Sequence, residues 1–128
     1  MKYYIAKTTN YSIDQTIAKV TEELKKEGFG ILTEINVQET LKKKINVDFK
    51  KYRILGACNP AKAYEALSKE DKIGTMLPCN VIVQELEGGK VEVAAINPVA
   101  SMMAVENPNL SNFANGVKEQ LERVIEAL

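Results

Sequence analysis

Residues 79–97 read CNVIVQELEGGKVEVAAIN, a pattern that indicates an antiparallel β-hairpin. Apolar and polar residues alternate on both sides of Gly88-Gly89, and a period of two residues is typical of half-buried strands. A glycine pair between two such runs is a strong hairpin signal. We therefore predict a strand over Cys79–Glu87, a two-residue turn, and an antiparallel strand over Lys90–Asn97.

Three further strands are predicted upstream of this hairpin. They cover Lys2–Thr8, Gly30–Ile35 and Lys51–Cys58, which are rich in residues that favour strands. Side chains alternate between the two faces of a strand. One face of the third strand is therefore expected to carry Tyr52, Ile54, Gly56 and Cys58.

Two long helices are predicted, one after the first strand and one at the end of the chain. The first begins at a capping box formed by Ser12 and Gln15 and ends at Gly28, in a Schellman motif with Phe29 packed on Leu24. The second is the most periodic element of the sequence. Its apolar stripe consists of Phe113, Val117, Leu121, Val124 and Leu128.

Two short helices are expected on either side of the third strand. The first runs from a capping box at Asn36 to Asn46, and the second runs from Asn59-Pro60 to Ser68. Pro98–Asn109 is predicted to be a loop or a short helical piece. The order strand, helix, four strands, helix indicates an α+β fold, in which an antiparallel sheet is covered mainly on one face by the two long helices.

The composition is that of an ordinary globular domain. The chain has 128 residues, of which 45% are hydrophobic and 27% are charged, and this fits a single domain over residues 1–128. No apolar run approaches the roughly 18 residues of a membrane span, and Met1–Lys7 lacks a signal-peptide core. We therefore expect a cytoplasmic protein with no membrane partner, in which the two cysteines are free thiols.

The charges cancel over the whole chain but not within each half. The chain has 17 basic and 17 acidic residues, so no overall field attracts nucleic acid, and no nucleic-acid partner is expected. Residues 1–64 hold 12 basic and 7 acidic residues, and residues 65–128 hold 5 and 10, which suits complementary faces in a dimer. The basic cluster of Lys42, Lys43, Lys44, Lys50, Lys51 and Arg53 is either an anion-binding surface or a solvated helix end.

The absence of histidine excludes several classes of mechanism. Serine and cysteine hydrolases of the usual kind need an imidazole to accept and return a proton. Two thiols in one chain do not complete a zinc site, so no metal site is predicted. The sequence identifies no cofactor, and it leaves open whether the protein is an enzyme.

The two cysteines are the leading candidates for a functional site. Cys58 ends the third strand and Cys79 begins the fourth, so the thiols meet at one sheet edge if these strands are antiparallel neighbours. We predict a small-molecule ligand pocket between sheet and helices at this edge. Its candidate residues are Cys58, Asn59, Cys79 and Asn80, with Arg53 and Glu34 as further candidates.

Two other interpretations fit the same residues. Cys58 stands just before a helix N-terminus, which favours a thiolate, so the alternative is a thiol-based enzyme or redox sensor with Cys79 as the resolving partner. Free cysteines are also common as apolar core residues. In that case the protein is a purely structural, dimeric interaction domain.

Three segments of the chain resemble family 302 of the domains of unknown function. They are Gly28–Ile35, Tyr52–Pro60 and Leu77–Val81. The segments around Cys58 and Cys79 are the most specific signatures of that family, and both are complete here. The resemblance implies a fold similar to the TATA-binding-protein-like sandwich and a homodimer, but it implies no DNA binding and no established activity.

Overall fold

Five antiparallel strands form one sheet in the computed structural model, which describes residues 1–128. The strands are β1 (Tyr4–Thr9), β2 (Gly30–Asn36), β3 (Tyr52–Cys58), β4 (Cys79–Glu85) and β5 (Val91–Ile96). Their spatial order is β1-β5-β4-β3-β2, so β1 and β2 form the two edges. The predicted α+β class is confirmed, and β3 and β4 are antiparallel neighbours.

Two long and three short α-helices accompany the sheet. They are α1 (Ile13–Lys26), α2 (Val37–Ile45), α3 (Pro60–Lys69), α4 (Pro98–Ser101) and α5 (Ser111–Glu126). Helix α1 begins at the predicted capping box, and it ends where the amide of Phe29 donates to the Leu24 carbonyl at 2.9 Å. None of these helices combines the length and the apolar character needed to cross a membrane.

The three short helices each begin at an asparagine. The side-chain oxygens of Asn36, Asn59 and Asn97 accept hydrogen bonds from backbone amides of the first turns of α2, α3 and α4. These bonds satisfy amides that have no partner within the helix. Only one of the two hydrogen bonds of the capping box expected at Asn36 is present, the one that the Asn36 side chain accepts from the Glu39 amide. The Glu39 carboxylate instead forms a salt bridge with Lys43 at 2.8 Å.

The turn between β4 and β5 differs from the prediction. The last register pair is Glu85 with Val91, and the amide of Leu86 donates to the Lys90 carbonyl at 2.7 Å. The loop therefore contains three residues rather than two. Gly88 and Gly89 have φ angles of 86° and 84°, a conformation that side chains with a Cβ rarely adopt.

The core lies on one face of the sheet only. Alternate residues of β3, β4 and β5 are buried there, among them Leu55, Val81, Val83 and Val93. Helices α1 and α5 contribute the other half of the core through residues such as Val20, Leu24, Val117 and Leu121. The intervening strand residues, including Ile54, Ile82 and Ala94, are only partly buried, so the opposite sheet face is open.

Candidate functional site

The two cysteines of the predicted site border one small void. Cys58 and Cys79 both line it, together with Phe29 of the core and Phe113 of α5. Its volume is about 20 Å³. A cavity of this size holds about one water molecule, so it has no room for an organic ligand.

Burial disfavours ionisation of Cys79. This thiol is 6% exposed, and its backbone pairs with Ala57 of β3. Desolvation, with a smaller contribution from the neighbouring Cys58, raises the pKa of Cys79 from 9.0 to about 11. Cys79 therefore stays a neutral thiol at physiological pH.

Asn59 is occupied by structural hydrogen bonds at both ends of its amide. Its oxygen caps α3 by accepting from the Lys62 amide at 3.3 Å. Its nitrogen donates to the carbonyl of Glu27 at 3.3 Å. Asn59 thereby links the start of α3 to the end of α1.

Asn80 lies on the other side of the sheet from Cys79. The register pairs Cys79 with Ala57 and Asn80 with Gly56, and successive side chains of a strand point to opposite faces. Asn80 is exposed on the open face, whereas Asn59 lies beside the thiols. No single cavity contains all four residues expected on one pocket rim: Cys58, Asn59 and Cys79 line the void, whereas Asn80 shares only a cleft of about 240 Å³ with Cys79.

Arg53 and Glu34 form an ion pair at 2.7 Å. Arg53 also lines a polar cleft of about 150 Å³ with Lys51 and Ser12, and Glu34 is not part of that lining. Other members of the basic cluster are paired as well, since Lys42 contacts Asp48 at 3.0 Å and Lys43 contacts Glu39. These contacts are typical of a solvated surface.

The largest concave site is a groove on the open sheet face. It has a volume of about 370 Å³ and lies over β4 and β5, beside Tyr52 of β3. Its apolar lining includes Ile82, Ala94 and Ile96. Three tyrosines, Tyr3, Tyr4 and Tyr52, also line it.

The polar residues of the groove come from the two central strands. Asn80 and Gln84 are on β4, and Glu92 is on β5. The amide of Gln84 donates to a carboxylate oxygen of Glu92 at 3.0 Å. Burial, followed by the nearby Tyr3 and Glu92, raises the pKa of the Tyr52 hydroxyl. All of these polar groups line the same groove.

Asn80 is the one groove residue that was expected from the sequence to belong to a site. A sequence signal for the groove does exist. The central strands carry apolar residues at both odd and even positions, such as Val93 and Ala94, so both sheet faces are partly apolar. Two long helices cover only one sheet face, so the second apolar series has no helix to pack against. That series forms the groove.

Comparisons with known proteins place the chain in a family. The sequence model of the family described as domain of unknown function DUF302 matches residues 5–128. No curated protein matches the chain. A similar solved structure is the crystal structure of the uncharacterized conserved protein DUF302 from Bacillus stearothermophilus, with 26% identity and a TM-score of 0.93 over 99% of this chain and 98% of that one.

Both the family match and the structural match extend over nearly the whole chain. The matched residues include all of α1 through α5 and the segments around both cysteines. The structural match covers the same elements, including the sheet whose open face carries the groove. The chain therefore belongs to the DUF302 family.

Proposed function

We propose that this protein binds a small organic molecule in the groove on the open face of its sheet. The observation that supports the proposal most strongly is the groove itself, an apolar surface with a few converging polar groups. Ligand sites typically have this composition and a volume of about 300–1,000 Å³. The groove, at about 370 Å³, is within that range.

The void at the cysteines fits a ligand less well than the groove does. Its volume of about 20 Å³ is too small, and the amide of Asn59 is already used in two hydrogen bonds. Asn80 is the one residue of the predicted Cys-Asn motifs that borders the groove. The open face therefore fits a ligand better than the sheet edge with the cysteines does.

The thiol enzyme and the purely structural interaction domain stay predictions. Both cysteines line one void, which agrees with a thiol pair, but the raised pKa of Cys79 opposes its use as a thiolate. The structural alternative agrees with the burial of Cys79. No contact favours either function over ligand binding.

The proposed function is tested by a titration with three probes that share a benzyl group. Benzyl alcohol, phenylacetate and benzyltrimethylammonium are each added to ¹⁵N-labelled protein, and backbone shifts are followed by NMR. We expect at least one probe to shift the amides of Ile82, Ala94 and Ile96. If none of the three probes shifts these amides at the highest concentration used, the proposal is contradicted.

A variant that fills the groove provides the specificity control. Ala94→Leu puts a larger side chain into the lining, and we expect it to weaken binding about tenfold, or ~1.4 kcal/mol. Ala61→Leu makes the same substitution at an exposed position of α3 and is expected to bind normally. Far-UV circular dichroism confirms that both variants are folded.

We also propose that the protein is a cytoplasmic homodimer with a TATA-binding-protein-like sandwich fold in a single domain. The family resemblance supports the dimer, and so do the opposite net charges of residues 1–64 and 65–128, +5 from 12 basic minus 7 acidic and −5 from 5 minus 10. The two free cysteines agree with a reducing compartment.

The dimer is tested by light scattering coupled to size-exclusion chromatography. The chain mass is 14.2 kDa, so we expect a particle of twice that mass at low salt. Because charge attraction is screened by salt, we expect partial dissociation at about 1 M NaCl, where the screening length is ~3 Å. A particle of 14.2 kDa at low salt would refute the homodimer.

A further inference from the structure

The groove contains a single charged side chain. Of the residues that line it, Glu92 is the one carboxylate, and no lysine or arginine is among them. One of its oxygens accepts a hydrogen bond from Gln84, but Glu92 takes part in none of the salt bridges of the protein. A partly buried carboxylate without a cationic partner gives the groove a negative potential.

The tyrosines add to this potential. Tyr3 and Tyr4 pack edge to face with ring centroids 5.0 Å apart, and Tyr52 lines the groove beside them. The faces of aromatic rings carry partial negative charge and attract cations. The Lys2 ammonium already lies 5.7 Å from the centroid of the Tyr4 ring, so Tyr3 and Tyr52 are the rings left for a ligand cation.

From this arrangement we infer that the ligand of the groove is an organic cation, an amine or quaternary ammonium compound with an apolar body. Its charged nitrogen lies against Glu92 and the tyrosine rings. Its apolar part packs on Ile82, Ala94 and Ile96. The inference rests on the proposed function, because it names the class of ligand that the same groove binds.

Charge complementarity separates this ligand from the other possible classes. An anion is repelled by Glu92, and a neutral molecule has no charge that the carboxylate or the ring faces can attract. A second copy of the chain is the competing occupant of an open sheet face. If the groove amides shift with protein concentration when no probe is present, a second copy occupies the groove and the inference is overturned.

The three benzyl probes measure the preference directly. We expect benzyltrimethylammonium to bind about tenfold more tightly than benzyl alcohol, the range expected of a cation on tyrosine rings with a carboxylate nearby. Phenylacetate is expected to bind most weakly. If benzyl alcohol or phenylacetate shifts the groove amides at lower concentration than the cation, the inference fails while the proposed function stands.

A pair of isosteric variants tests the role of Glu92. Glu92→Gln removes its charge but leaves the tyrosine rings, and we expect it to reduce the preference for the cation while the affinity for benzyl alcohol is unchanged. Glu85→Gln is the matched control, because Glu85 pairs with Val91 and belongs to the covered face. An unchanged cation preference in Glu92→Gln, or an equal loss in Glu85→Gln, would overturn the inference.

Discussion

Gly56→Ala is expected to lower the free energy of unfolding by about 1–3 kcal/mol, the usual cost of forcing extra atoms into a packed site. Gly56 is in the middle of β3. A Cβ added there meets the Thr33 hydroxyl and lies 2.9 Å from Cγ of Pro78. Because both contacts are too close, Thr33, the Pro78 ring or the strand itself must shift.

Gly30→Ala is the matched control for this substitution. Gly30 begins the neighbouring strand β2, and a Cβ added there has no heavy atom within 4 Å. We expect its effect to lie within about 0.5 kcal/mol of zero. Urea unfolding of the wild type and both variants gives the comparison, and equal stabilities of the two variants would contradict the packing described around Gly56.

Cys79 is expected to make the fold less stable in alkaline solution. Its pKa is 9.0 ordinarily and about 11 in the folded protein. Below pH 9 the thiol is protonated in both states, so its contribution to stability is fully present. As the pH rises from about 9 to 11, the unfolded chain loses its proton first, and about 2–3 kcal/mol of stability is lost at ~1.4 kcal/mol per pKa unit.

The comparison with Cys79→Ala isolates this contribution from other titrating groups. The variant is less stable at pH 8 because it loses packing, but it lacks the ionising thiol. We therefore expect the difference in unfolding free energy between wild type and variant to shrink by about 2–3 kcal/mol between pH 8.5 and 11. A difference that stays constant over this range would show that the Cys79 thiol is not desolvated in the fold.

Much of the fold could be predicted because its signals are local. The capping box at Ser12 and the stop at Gly28 depend on residues within one turn of each other, and the structure has both. The Asn-Pro pair at Asn59 marks a helix start for the same reason. The alternation in Cys79–Asn97 likewise depends on neighbours along the chain, and it yielded β4 and β5 to within two residues at each end.

The site was harder to predict because it depends on which sheet face the helices cover. The approach of Cys58 and Cys79 followed from the strand order. The separation of Asn80 from Asn59 could not be predicted from the strand order, because it depends on the register that pairs Cys79 with Ala57. The groove residues Tyr3 and Glu92 lie 89 positions apart in the numbering and meet only through the tertiary fold.

We propose that the ligand binds on the open sheet face and not at the sheet edge with the cysteines. The most direct test of this proposal is the set of intermolecular NOEs between the phenyl protons of bound benzyltrimethylammonium and the methyl groups of the protein. We predict NOEs to the methyls of Ala94 and Ile82, which line the groove. NOEs to Ala57 or Ala63, which line the void beside the thiols, would contradict the claim.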